Sequence, residues 1–224
     1  MSTPGDLAET AKQVEALDRR IFTAQADVRD ETQLKQAFDQ GTAEIGPVDI
    51  VLANAGIAYV PRGREPHQAW QDVIDVNLTG MFNTVETAIP SMIERGQGGA
   101  IVLTSSTAGL AGIVGPSRAG LAYAASKHGI VGLMRSYANN LASHRIRVNT
   151  VHPTGCETPM VVNDFFPAYM QENVKTAHAF QNTLPVQMVD PIDVSRAVLY
   201  LVGESGRYVT GIALPVDAGI SYAS

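Results

Sequence analysis

This chain of 224 residues is short of several things, and each shortage excludes a class of protein. Cys156 is the single cysteine, so no internal disulfide can form. A lone thiol fits a reducing compartment, and a cytoplasmic location is expected. The five histidines, at 67, 128, 144, 152 and 178, form no close pair. With one cysteine beside them, no dedicated metal site is expected. Arginines stand singly or in pairs, and 16 basic residues against 22 acidic ones leave a net charge of −6. Such a chain offers no basic field to release counterions, so nucleic acid is not an expected partner. No run of 18 apolar residues occurs, which argues against a membrane-spanning helix. The opening Met1-Ser2-Thr3-Pro4-Gly5-Asp6 has neither the cationic nor the apolar stretch of a secretion signal.

What is present suits one globular domain over residues 1–224. Hydrophobic residues make up 45% and charged ones 17%, enough for a sizeable core. The pattern alternates. An amphipathic helix is expected over 6–17 and a strand over 20–26, then a helix over 31–44 closed by Gly46-Pro47. Short apolar runs at 48–52 and 100–103 read as strands buried on both faces, and further strands are expected over 146–151 and 211–216. Between them lie expected helices at 66–95, 121–143 and 191–203. Alternation of this kind predicts an α/β fold, a doubly wound parallel sheet with right-handed crossovers. Ligands bind such sheets beyond the carboxyl ends of the strands. The polar motifs fall at those ends: Asp27, Asn54-Ala55-Gly56, Ser105-Ser106 and Pro153-Thr154-Gly155.

The segment from Ser105 to Lys127 carries the most chemistry. Tyr123 and Lys127 have the i, i+4 spacing that places two side chains on one helix face. Composition alone would supply such a pair with a chance of roughly one in eight, so its weight comes from position. An ammonium beside a phenol favours the phenolate and lowers its pKa from about 10, which makes it a better base near neutral pH. Ser106, after a buried strand, is placed to bind a substrate oxygen, with Ser105 its nearest competitor. Asn77 lies in an otherwise apolar helix, where its amide competes for backbone groups. It either bridges two helices or marks a local irregularity that holds a water near Lys127. Asn54-Ala55-Gly56 supplies small residues where a ligand must come close, or is a plain turn. Cys156, His128 and His152 read as structural residues, the thiol as a small hydrophobe.

Together these residues resemble the short-chain dehydrogenase/reductase family over nearly the whole chain, Asp6 to Tyr222. The resemblance implies a Rossmann-like fold and a catalytic set of Asn77, Ser106, Tyr123 and Lys127. It implies cofactor contacts at Asp27, Val28, Asn54, Ala55, Gly56, Tyr123, Lys127, Pro153, Cys156 and Thr158. The cofactor would be NAD, with NADP not excluded. The reaction would pass a hydride between nicotinamide and a hydrophobic secondary alcohol or ketone, for instance a terpenoid. A homo-oligomer, dimer or tetramer, is implied, built on the long helices. The 17-residue spacing from Ser106 to Tyr123, with His152-Pro153-Thr154 and Val216-Asp217-Ala218-Gly219, resembles the carveol-dehydrogenase-like, mycofactocin-coupled subfamily. Thr154 replaces the family's usual glycine, and Cys156 a branched aliphatic. Residues 159–185, with Met160, Phe165, Phe166, Met170 and Phe180, are expected to form a substrate lid.

The family also begins with a strand, a T-G-x-x-x-G-x-G turn and a helix that cradle the cofactor pyrophosphate. The 224 residues contain no such motif. By the resemblance the domain is incomplete at its N-terminus by two strands, a unit on the order of 30 residues, and Met1 is then an internal start. The strand at 48–52 should be an edge, and the strand at 20–26 either slides over to pair with it or hangs loosely with the first 45 residues. A catalytically inactive fragment that keeps only oligomerisation surfaces is the alternative expectation. A non-redox epimerase or lyase on the same fold is a third.

Overall fold

The computed structural model describes residues 3–58, 65–112, 117–163, 171 and 181–222. Four parallel strands form one sheet in the order β1-β2-β3-β4: Ile50–Ala53, Gly99–Thr104, Ile146–Pro153 and Ala213–Val216. Residues of alternating parity face opposite layers, as a pleated strand requires. Val51, Ala53, Ile101, Leu103, Ile146 and Val148 join the larger core beneath the helices Gly80–Arg95 (α4) and Arg118–Asn140 (α5). Val102 and Val151 face the other way and pack against Pro191–Val202 (α6) with Leu201. Helices therefore cover both faces, and the sheet is doubly wound.

Among the first 45 residues the two expected helices form, but the strand expected over 20–26 does not. Pro4–Glu15 (α1) opens with a capping box between Thr3 and Asp6, but none of its residues is buried. Residues 19–27 form no strand. A strand there would need a neighbour to take its N–H and C=O groups. Contacts to the following helix, Glu31–Ile45 (α2), hold the segment instead. The Arg20 guanidinium donates to the Ile45 carbonyl at 2.9 Å, and the Phe22 ring lies against Gly41. Asp30 caps α2 by accepting from the Thr32 and Gln33 amides, and α2 packs on α4. The strand that would slide across to β1 is thus absent, and β1 is an edge. Its inward residues are buried, while Ile50 and Leu52 are 46% and 52% exposed, because α6 lies over the other strands.

The single helix expected over 66–95 is two helices. Pro66–Ile74 (α3) and α4 are joined by a wide π turn, Asp75–Thr79, with Asn77 at its centre. A π turn inserts a residue into the helical ladder and re-aims the side chains around it. Helix α5 starts three residues earlier than expected, at Arg118, because the Ser117 hydroxyl caps it by accepting from the Gly120 amide.

Candidate active site

Beyond β2 the chain leaves the sheet through Ser105 and Ser106 into a 3-10 turn, Thr107–Gly109. The two serines divide their work. Ser105 donates its hydroxyl to the Lys127 carbonyl at 2.8 Å, which fixes the loop to α5 and removes Ser105 as a competitor for substrate. Ser106 caps the turn by accepting from the Ala108 amide, and it hydrogen-bonds the Tyr123 phenol. Gly109 permits this approach: a Cβ there would collide with Ser105 Oγ and lie 2.6 Å from the Lys127 carbonyl oxygen.

Tyr123 and Lys127 share one face of α5, with Nζ 5.5 Å from the ring centroid. Lys127 is buried and donates to the Thr104 carbonyl at 2.8 Å, at the end of β2. Burial brings its pKa down to about 8. Burial also pushes the Tyr123 phenol up, and the hydrogen bond to Ser106 pulls it partly back. This corrects the expectation of a lowered phenol: removal from water disfavours the charged phenolate, and the Ser106 hydrogen bond offsets it only in part. Ile220, fully buried, and Ala108 of the 3-10 turn form a small cluster against which Tyr123 packs.

Asn77 is buried and tied twice to one residue. Its Oδ1 accepts from the Ile57 amide at 2.7 Å, and its Nδ2 donates to the Ile57 carbonyl at 2.8 Å. The π turn aims it inward, so its amide bridges α3–α4 to the loop after β1. That loop holds Asn54, Ala55 and Gly56. A Cβ at Gly56 would lie 3.3 Å from Asn77 Oδ1 and 3.7 Å from Lys127 Nζ, so the glycine marks where the loop comes close to the lysine. Asn77, Ser106, Tyr123, Lys127 and Gly56 are therefore one cluster at the carboxyl ends of β1 and β2.

The remaining sequence-derived residues form separate groups. Asp27 grips its own neighbour Arg29 through both carboxylate oxygens, which holds its pKa low. Val28 lies against Gly80, where a Cβ would come within 2.5 Å, and its carbonyl accepts from Asn83 at 3.1 Å. Both sit along α4. Pro153 ends β3 opposite Val216. Cys156 forms an isolated bridge with Val189, and burial, reinforced by Asp190, pushes its thiol up. Thr158 donates its hydroxyl to the Cys156 carbonyl at 3.3 Å. Of the expected lid, Met160 is half-buried, whereas Phe165, Phe166, Met170 and Phe180 lie outside the described residues. Among the described residues no cluster of His, Cys, Asp or Glu could hold a metal, and no helix is long and apolar enough to cross a membrane.

Sequence reasoning left two contributors in the background. Gly109 stood unremarked in Thr107-Ala108-Gly109. His152 passed as a core histidine, although its alternation with Thr150 along β3 put both on the α5 face.

Comparison with known proteins agrees with this architecture. Residues 2–165 match the family model for short chain dehydrogenase. An uncharacterised oxidoreductase of Mycobacterium tuberculosis is 52% identical over 98% of this chain and 80% of its own length. A (−)-trans-carveol dehydrogenase of Rhodococcus erythropolis is 45% identical over 98% of this chain and 81% of its own. The crystal structure of carveol dehydrogenase from Mycobacterium avium in complex with NAD superposes with a TM-score of 0.90 at 44% identity, covering 100% of this chain and 83% of that one. With a serine, tyrosine and lysine gathered where a parallel sheet binds its ligands, the chain belongs to the short-chain dehydrogenase family.

Proposed function

We propose that this chain is an NAD-dependent oxidoreductase that interconverts a hydrophobic secondary alcohol and its ketone. One observation carries the reading: Ser106, Tyr123 and the buried ammonium of Lys127 converge at the carboxyl end of β2. The phenol exchanges the proton of the substrate oxygen. Ser106 orients that oxygen with its hydroxyl, which already reaches the phenol. Lys127 supplies positive charge beside the ring, and this charge favours the phenolate as the proton leaves the substrate. Asn77 holds the loop after β1 in place and anchors a water that relays the proton.

The residues present fit the nicotinamide-ribose half of NAD. Gly56 leaves open backbone beside Lys127 Nζ, which would hold the ribose hydroxyls. Asn54, Ala55, Pro153, Cys156 and Thr158 border the same strand ends, and Asp27 and Val28 would meet the adenine. For the pyrophosphate the sequence holds no T-G-x-x-x-G-x-G, the turn that presents backbone amides and a helix N-terminus to phosphate. NADP fits the same half equally well. When bound, the nicotinamide supplies the carbon that accepts or gives the hydride.

Finer points rest on likeness. The relatives named for carveol support a terpenoid alcohol, and the 17-residue spacing from Ser106 to Tyr123 supports a place in the mycofactocin-coupled subfamily. The single thiol supports a cytoplasmic location, and residues 1–224 are read as one domain. A groove of about 420 Å³ between α4 and α5, lined by Leu78, Phe82, Gly129, Gly132 and Leu133, supports a dimer or tetramer built on those helices. The test is a titration with NADH followed by fluorescence, then NAD reduction with carveol and a panel of secondary alcohols. Saturable binding and turnover are expected, and Tyr123→Phe should lower kcat by about 10²–10⁴-fold. Absence of both binding and turnover would sink the reading.

A further inference from the structure

The strand after α5 buries a histidine directly behind Ser106. His152 has no exposed surface, and both ring nitrogens are bonded. Nδ1 lies 2.8 Å from the Ser106 carbonyl oxygen, and Nε2 lies 2.8 Å from Thr150 Oγ1. A carbonyl can only accept, so Nδ1 carries the hydrogen. Nε2 of the neutral ring must then accept from the Thr150 hydroxyl. The accept-only Ser106 carbonyl thus selects the Nδ1–H tautomer, and the Thr150 hydroxyl completes it by turning its hydrogen to Nε2 at 2.8 Å rather than to the Ile212 carbonyl at 3.4 Å.

That carbonyl is well placed for control. Ser105 is still held by the sheet, its amide donating to Val151 at 2.9 Å, but Ser106 is the first residue beyond it. Two hydrogen bonds fix the Ser106 carbonyl: one from the Gly109 amide at 2.9 Å within the 3-10 turn, and one from His152. Only the second ties the turn to β3. We propose that His152 is a positioning residue, whose neutral Nδ1–H clamps the Ser106 carbonyl to β3 and so sets the direction of the Ser106 hydroxyl.

The surroundings keep the ring neutral. Burial brings its pKa down to about 4, the bond to Ser106 works against this, Lys127 and His128 add to it, and Asp217 opposes it. The clamp is therefore in its working tautomer throughout the pH range in which a tyrosine base operates.

The inference rests on the proposed role of Ser106, and the experiment separates the two. Turnover of carveol with NAD is measured for Ser106→Ala, His152→Leu, their double variant, His152→Asn and His152→Gln. Asparagine carries an N–H near the Nδ1 position and should stay within a few-fold of the parent. Glutamine places its amide near Nε2 and should fall with leucine by about 10–100-fold in kcat, with KM little changed. In the Ser106→Ala background His152→Leu should cost nothing further, because the hydroxyl it directs is gone. A full additive loss, or an asparagine variant no better than glutamine, overturns the clamp and leaves the reading of the site intact. An unaffected Ser106→Ala overturns the reading of the site instead. Nitrogen-15 NMR of the imidazole tests the clamp without turnover: the Nδ1–H tautomer is expected, and Nε2–H would refute it whether or not the leucine variant folds.

Discussion

Two buried basic side chains make the pH response of this protein readable at the level of single residues. Lys127 is 4% exposed with its pKa brought to about 8, against 10.5 for the free side chain. The unfolded chain therefore binds the proton more tightly than the native one between those values. Stability should rise with pH from about 8 to 10.5, by about 3 kcal/mol from this group. His152 behaves in the same sense lower down. Its ring is neutral in the fold until about pH 4, whereas an unfolded histidine charges near 6.5. Stability should fall as pH drops from 6.5 toward 4, again by about 3 kcal/mol. Urea titrations across pH 4–10.5 check both. Lys127→Met should flatten the upper limb and His152→Asn the lower one, and a slope unchanged in either variant would show that another group carries it.

The elements around the site depend on where backbone can approach backbone. Gly109 is the sharpest case, since a side chain there strikes both Ser105 Oγ and the Lys127 carbonyl. Gly109→Ala should break the bond that fastens the 3-10 turn to α5. Forcing a methyl into such a space costs about 1–3 kcal/mol, which lowers the melting temperature by roughly 2–4 °C per kcal/mol in a chain of this size. Activity should fall further than stability, because Ser106 rides on the displaced turn; calorimetry beside turnover reads the two. A variant with parental melting and parental kcat would mean the turn has room to spare. The same contrast shows what the sequence could reveal. The runs at 48–52, 100–103, 146–151 and 211–216 located all four strands of the sheet, but the expected burial of 48–52 on both faces fails, since no helix among the described residues covers Ile50 and Leu52 on the outer face of β1. The Tyr123–Lys127 pair was legible through helical spacing. The π turn at Asn77 was visible only as an amide out of place, since a bulge depends on its tie to Ile57, twenty residues away. The clamp on Ser106 depends on β3 lying beside β2, which no local pattern records. The segment 20–26 reads as a strand because its composition suits one, yet a strand exists only where a neighbour takes its hydrogen bonds.

At the scale of the whole molecule, two apolar surfaces stand open among the described residues, and they should behave differently. The groove between α4 and α5 is a shaped concavity: Gly132 opens onto free space, Gly129 sits against Leu78, and Phe82 stands 42% exposed on its rim. A surface of that form suits a defined contact between copies. The edge of β1 is instead a strand with one unpaired side and two outward apolar residues, Ile50 and Leu52. Exposed edges of this kind join other chains without a fixed stoichiometry unless a charge or a bulge blocks them. Multi-angle light scattering over a concentration series separates the two surfaces. If copies meet through this groove as proposed, Phe82→Glu should convert the discrete assembly into a smaller species of uniform mass, because it places a charge in that contact. Leu52→Lys should leave that discrete mass unchanged and remove the polydisperse material that grows with concentration. If Leu52→Lys were to shift the discrete mass, the edge of β1 would itself be part of the specific assembly. A Phe82→Glu variant with parental mass would free the groove from any role in it.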